Sequence, residues 1–420
     1  MKFNLDVKTR QLSNGMRVVL IHKPDYVKSL FLCGFGVGGF NIEEDVENEL
    51  KINRSGIAHF LEHQMFRYQG EDVTNLFAKM QAQTNAFTSY TETAYYFSTT
   101  ADVEKPLGLL LDFVQNLDIN EQTVEKEKGI ILSEYNMYDQ NPEMRMVREI
   151  FKSMYHTHPL TVDVLGTVED IQNMSVEDLS QFYHRNYDPS KLVLVGVTGK
   201  DTGPILDFIE EYECRYPSLQ NVVSKPHFGL EDLDVAREEF CLEMEVSEPY
   251  VCVGYKLLPC QSVKESLKKD LMFSIWLDAL FGPMNPEYQS WIDEEIISSN
   301  CWAEADFSNE HGYVIFYAQT NRVDAFIHLV NRIVSSSYQI EEDVFNSLKA
   351  QWLARSIRSL DHFESLAIDM MRSVLLEYDY FEEIRLVDSL SLDELNDFIS
   401  KVSFKFSSKV TIVPKTCVCD

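Results

Sequence analysis

The sequence predicts an α+β protein of two tandem homologous α/β domains, each a mainly antiparallel sheet with helices on one face. Three observations carry this prediction. At 420 residues the chain exceeds the size at which one core keeps growing, so two domains of roughly 200 residues follow. Strand and helix signals alternate along the first half. The second half runs through a like order over a like length, as a duplicated unit does.

Taken in order, "RQLSNGMRVVLIHK" reads as a hairpin, with Asn14-Gly15 supplying the positive backbone angles of a tight turn. "SLFLCGFGVGG" is a buried strand run. Its glycines imitate a nucleotide loop, but no Walker lysine follows and close strand packing accounts for them. "SGIAHFLEHQMFRYQ" has helical spacing, with Ser55 as its N-cap. "TNAFTSYTETAYYFSTT" is rich in Thr and aromatics, as extended segments are. "VEKPLGLLLDFVQNL" and "QTVEKEKGIILSEYNMYDQ" return to helical spacing, and "KLVLVGVTGK" is another buried strand. The polar, turn-rich stretch 216–236 marks the boundary, giving domains 1–220 and 221–420. Beyond it, "FCLEMEVSEPYVCVGYKLL" gives strands, "ESLKKDLMFSIWLDALFG" a helix, "GYVIFYAQT" a strand and "VDAFIHLVNRIVSSS" a helix. After a long helical stretch "KVTIVPK" closes as a strand, and Trp276, Trp291, Trp302 and Trp352 read as core.

Composition narrows the function classes. Apolar residues at 45% suit a packed globular chain rather than a disordered one. A balance of 37 basic against 67 acidic residues, net charge -30, argues against nucleic acid and anionic membranes. The same field would gather cationic peptides, or simply keep the protein soluble. "MKFNLDVKTRQLSNGMRVVL" has no uninterrupted apolar core and no small-residue cleavage site, so no secretory signal is read there. No apolar run reaches the roughly 18 residues of a membrane span. Eight cysteines are scattered without CxxC spacing, which points to reduced thiols and a cytoplasmic protein. The tail "CVCD" has the outline of a prenylation box, but its terminal Asp argues against one.

Chemistry concentrates in "SGIAHFLEHQMF". At 3.6 residues per turn His59, Glu62 and His63 share one stripe, while Ala58, Leu61 and Met65 form the apolar one beside it. Both imidazoles can then reach one ion, with Glu62 beside them as a base rather than a ligand. Chance supplies roughly 0.02 such HxxEH patterns in a chain of this composition; the bland alternative is a salt-bridged surface turn. A catalytic zinc needs a third protein ligand. Glu127 and Glu134 lie seven apart, two helical turns, so they point the same way. Such pairs are common on solvated faces, and periodicity alone does not raise this one above that. His156 and His158 in "MYHTHPL" have no evident partner cluster and read as loop histidines.

HxxEH followed after some seventy residues by Glu-x6-Glu resembles the pitrilysin/insulinase zinc peptidases, the inverzincins. The likeness runs in order through "LSNGMRVVL", "GIAHFLEHQMF", "TNAFTSYTETAYYF", "TVEKEKGIILSEYNMYDQNPEMR", "HPLTVDVLGTVEDIQNMSVEDLSQFYHRNY" and "KLVLVGVTG". The second half is similar to the family's degenerate repeat. The size resembles single-half members such as mitochondrial processing peptidase subunits and paired bacterial peptidases. The resemblance implies half of a peptidase clam shell holding one Zn2+ per chain. It implies His59, His63 and Glu134 as zinc ligands, Glu62 as the base that activates the attacking water, and Glu127 steadying the site. Asn85 and Ala86 match the edge strand that pairs the substrate backbone by strand addition.

One departure shapes the expected assembly. Many relatives carry an Arg, then a Tyr, that hold the substrate carbonyl. Here "YQSWIDEEIISSNCWAEAD" has Asp293-Glu294 at that turn and no following Tyr. A related, metal-free subunit is therefore expected to supply the Arg/Tyr pair, making this chain the metal-bearing half of a heterodimer. The expected function is a zinc endopeptidase acting on short or unstructured peptides in an enclosed chamber, narrowed to removal of a leader from a ribosomally made peptide. The alternative is a non-catalytic scaffold subunit.

Overall fold

The computed structural model describes residues 5–218, 222–335 and 339–415. They form two compact units, and each takes a segment from the other half of the sequence. One comprises the residues up to Asn136, 162–228 and 358–380; the other comprises 137–161, 229–357 and the residues from Phe381 on. The chain's main passage between them, at 228–229, lies within the polar stretch 216–236.

The first unit is built on a six-stranded sheet. Its strands lie in the order Asp6–Gln11, Arg17–His22, Val193–Thr198, Ser29–Phe35, Thr93–Thr99 and Ala82–Thr88. All neighbours are antiparallel except Val193–Thr198 beside Arg17–His22. Side chains alternate between faces. Phe31, Cys33 and Phe35 enter the large core beneath a layer of helices, whereas Leu30 and Leu32 meet Leu366, Ala367, Met370 and Met371 of the helix Phe363–Leu375. Covering both faces explains why "SLFLCGF" and "VLVGVT" are buried at every position.

The second unit repeats this plan. Its strands run Glu239–Met244, Phe406–Pro414, Tyr250–Leu257, Gly312–Gln319 and Cys301–Phe307, again with one parallel pair at the start and antiparallel neighbours after it. This matches the first sheet strand for strand from Arg17–His22 to Ala82–Thr88, so the expected duplication is present. One face packs against the helices Val263–Leu280, Val323–Ser335 and Leu392–Ser400, with Trp276 and Trp291 buried among them and Trp352 against their edge. Trp302 instead stacks on Tyr317 and donates to Glu143. The opposite face receives the helix Pro142–Met154.

Each crossing helix lies close to a strand glycine. A Cβ on Gly34 would sit 1.9 Å from Met371 Sδ, and one on Gly254 would sit 2.7 Å from Met154 Sδ. The two positions occupy corresponding strands, which gives the glycines of the first run their packing role.

Two local expectations change. In the first hairpin only Gly15 takes a left-handed backbone, φ 91°. Asn14 works through its side chain: Oδ1 accepts from Met16 N–H, and the amide donates to Glu213 and to the Tyr216 carbonyl. The six described cysteines are free thiols; Cys417 and Cys419, with the "CVCD" tail, lie outside the described residues. Among the described residues no helix is long and apolar enough to cross a membrane.

Tight packing at the glycines has a measurable consequence. Gly34→Ala or Gly254→Ala overpacks its interface and costs about 1–3 kcal/mol in denaturant unfolding. Combining Gly34→Ala with Met371→Ala gives a cost well below the sum of the single costs; strict additivity would contradict the contact. Asp270, on the helix Val263–Leu280, has a buried Oδ1 without a hydrogen-bond partner among the described residues. Burial first, then Asp306 and Glu383, push its pKa up to about 8 against the Phe307 N–H and Lys269. A carboxyl that holds its proton more tightly when folded stabilises fully below its unfolded pKa and loses that contribution as pH rises through the folded value. Asp270→Asn should therefore gain stability over the parent between about pH 5 and about pH 8; a pH-independent difference would contradict this.

Candidate metal centre

The helix Ile57–Met65 buries Ile57, Ala58, Phe60, Leu61 and Met65 in the first core. Its start is set by backbone rather than by a side-chain cap. Gly56 is the N-cap, in the left-handed region at φ 76° and with no side-chain cap bond. A Cβ there would lie 2.1 Å from the Leu165 carbonyl oxygen, and one on Gly166 would lie 2.3 Å from that of Ser55. Only glycines allow these two turns to press together. Ser55, expected as the cap, is engaged elsewhere. Its hydroxyl donates to Asp170 (2.5 Å) and accepts from Thr167 N–H (3.0 Å).

Registered this way, the helix turns His59, Glu62 and His63 toward the helix Glu121–Gln140. Glu134 Oε2 lies 3.8 Å from His59 Nε2 and 3.5 Å from His63 Nε2. One ligand atom of each of His59, His63 and Glu134 falls within 4.8 Å of the others. One helical stripe meets one glutamate.

The other glutamate of the pair lies behind His63. Glu127 Oε1 is 2.9 Å from His63 Nδ1; a carboxylate partner there places the proton on Nδ1 and leaves the Nε2 lone pair facing Glu134. Burial opposes a charge on His63, but the Glu127 hydrogen bond and the carboxylates of Glu62, Glu127 and Glu134 outweigh it and raise the pKa. Burial, helped by His63, lowers that of His59 to about 3, so this imidazole is neutral. Its Nδ1 is buried without a hydrogen-bond partner among the described residues.

These residues fit a zinc-class ion. The three converging atoms stand farther apart than strong hydrogen bonds, so they do not satisfy one another. Two imidazole nitrogens and a carboxylate oxygen form a donor set that zinc takes. The surrounding carboxylates also create a field that a cation would neutralise.

Glu62 stands beside this cluster. The Thr88 hydroxyl donates to its Oε2 at 2.7 Å. Burial raises the Glu62 pKa, with Thr88 and His63 opposing and Glu134 adding to it. Sequence reading missed Thr88, although strand alternation from Ala82 and Ala86, which pack on the first core, puts it on the helix-facing side. Asn85 points the other way and donates to Tyr96 OH at 3.2 Å. Ala86 N–H is held by Asn85 Oδ1 at 3.0 Å. Asn85 and Ala86 thus lie on the edge strand Ala82–Thr88, outside the converging cluster.

Comparison with known proteins agrees with this fold. Residues 48–168 match the family described as Insulinase (Peptidase family M16), and residues 173–352 match Peptidase M16 inactive domain. An uncharacterized zinc protease, YmfH of Bacillus subtilis, is 30% identical over 413 residues, covering 97% of this chain and 96% of that protein. A mitochondrial-processing peptidase subunit beta from Neurospora crassa is 22% identical, covering 94% of this chain and 85% of its own. The crystal structure of a putative M16-like peptidase from Alicyclobacillus acidocaldarius superposes with a TM-score of 0.94 at 28% identity, covering 99% of both chains. Full-length likeness to a zinc protease, with both M16 regions in order, makes this chain a member of the peptidase M16 (insulinase) family.

Proposed function

We propose that the chain is a zinc-dependent endopeptidase for short or unstructured peptides. The observation that carries this reading is the convergence of His59 Nε2, His63 Nε2 and Glu134 Oε2 next to the Glu62 carboxylate. His59, His63 and Glu134 would hold one zinc, whose chemistry when bound is to acidify water and polarise a carbonyl. Glu62 then takes the proton of the attacking water and returns it to the leaving amine. Thr88 fixes one oxygen of Glu62 and leaves the other for that transfer. Glu127 acts through His63 by holding its proton on Nδ1.

Substrate binding would use the edge strand. Ala82–Thr88 pairs with Thr93–Thr99 on one side and ends the sheet on the other. An extended peptide can add there, with its carbonyl taking over the Ala86 N–H now held by Asn85. The catalytic role belongs to domain 1–220, and 221–420 is read as the degenerate repeat without the HxxEH metal motif. At the turn where relatives would place a carbonyl-holding arginine, Asp293 closes the helix Tyr288–Asp293 and Glu294 follows it. That supports assigning the missing Arg/Tyr pair to a related metal-free subunit, with this chain as the metal-bearing half of a heterodimer. The narrower substrate we favour is the leader of a ribosomally made peptide, removed in the cytoplasm.

Mass-spectrometric mapping of cuts in a mixture of unstructured peptides tests the reading. Glu62→Gln should lower turnover by about 10²–10⁴ with zinc content unchanged. Thr88→Val, which removes a charge-assisted hydrogen bond, should lower it about tenfold or more, also without zinc loss. Parental rates in Glu62→Gln would contradict the assignment. Bound zinc without cleavage would point to the missing subunit, and neither zinc nor cleavage would favour a scaffold.

A further inference from the structure

His156 is not the isolated loop histidine that its sequence neighbourhood implies. In the second unit it meets Asp232 and Asp234, carried by a segment some 75 residues further on. One ligand atom of each lies within 4.8 Å of the others, and His156 Nε2 is 3.2 Å from Asp234 Oδ1. All three side chains are exposed. Among the described residues no lysine or arginine side chain is paired with the carboxylate of Asp232 or Asp234.

The backbone beneath these side chains is held by two groups that are not part of the cluster. Glu231 accepts the N–H groups of His156 (2.8 Å), Thr157 (2.8 Å) and His158 (2.9 Å). Its partner Lys256, 2.5 Å away and buried, donates to the carbonyl oxygens of Asp232 (2.6 Å) and Asp234 (3.0 Å). A carboxylate and an ammonium thus hold the main chain of all three residues: Glu231 that of His156, and Lys256 that of Asp232 and Asp234. The result is a fixed backbone that carries the His156–Asp234 pair and the Asp232 carboxylate above it. Preorganisation of this kind removes much of the ordering cost that makes chance surface clusters poor ligands.

We propose that His156, Asp232 and Asp234 form a second divalent-cation site for a zinc-class transition ion, separate from the His59–His63–Glu134 centre. One imidazole and two carboxylates suit zinc, manganese or cobalt, with remaining positions left to water. Bonds of about 2.0–2.2 Å hold ligand atoms about 3.4 Å apart. His156 and Asp234 already stand near that separation, and the Asp232 side chain closes the rest by rotation above its fixed backbone. The bound ion would cross-link segment 155–158 to segment 231–234 and so stabilise the second unit by mass action. The reach of this site does not depend on the peptidase reading.

Zinc titration of metal-stripped protein, by calorimetry with thermal melts alongside, tests this. The His59→Ala/His63→Ala variant, which has lost the first centre, should still bind one zinc per chain and melt higher with it. Adding His156→Ala, or separately Asp234→Asn, should weaken that binding by about tenfold or more and remove the melting shift. Should the double variant fail to fold, the same subtraction applies in the otherwise unaltered chain, where His156→Ala reduces the metal that binds by one ion per chain. No binding by a folded double variant would overturn the proposal. Binding undiminished by His156→Ala and Asp234→Asn would overturn it equally.

Discussion

The close approach of two glycine turns sets the register of the whole centre. Gly56 and Gly166 both take positive φ, and each lies where the other turn leaves no room for a Cβ. This contact decides at which residue the histidine helix begins. Moving the start by one residue would rotate the helix by about 100°, turning His59 and His63 away from Glu134 and Glu62 away from Thr88. Ser55, Thr167 and Asp170 tie the same junction with side-chain hydrogen bonds. The chemistry of the stripe therefore rests on a backbone contact more than 100 residues apart in sequence.

Duplication clarifies what the second unit has kept. In the first unit the carboxylate of Glu62 receives a hydrogen bond from Thr88, the last residue of the edge strand. In the second, the N–H of Phe307, the last residue of the matching strand, acts on Asp270 of the helix Val263–Leu280 and favours its charged form. A helix carboxylate thus meets the end of an edge strand in both. The first has imidazoles beside it, whereas "VKESLKKDLMFSIWLDAL" has none. Burial and the carboxylates of Asp306 and Glu383 outweigh the Phe307 N–H and Lys269 there, and the buried acid favours its protonated form.

Local pattern was legible and distant pairing was not. The stripe His59–Glu62–His63 follows from helical period alone, and Glu127 with Glu134 from two turns of the next helix. The family resemblance, rather than periodicity, is what marks Glu134 as a candidate ligand instead of an ordinary solvated glutamate. Strand alternation and apolar runs marked the sheets. They did not reveal that Phe363–Leu375 and Pro142–Met154 each close a sheet in the other half of the chain, because an amphipathic helix does not state which sheet it covers. Thr88 was hidden for a related reason: a threonine on a strand has many uses, and only the neighbouring helix makes it a partner of Glu62. The Ser55 cap reading failed because the residue's hydroxyl is engaged by Asp170, a partner that local propensity does not see. His156 gains its partners only through folding.

The proposed chemistry requires that three donors from two helices hold one ion. Diffraction from crystals of the Glu62→Gln chain grown with stoichiometric zinc, measured on both sides of the zinc absorption edge, tests this most directly. The prediction is an anomalous peak coordinated by His59 Nε2, His63 Nε2 and Glu134, at about 2.0–2.2 Å from each. Well-ordered His59, His63 and Glu134 side chains with no peak among them would contradict it.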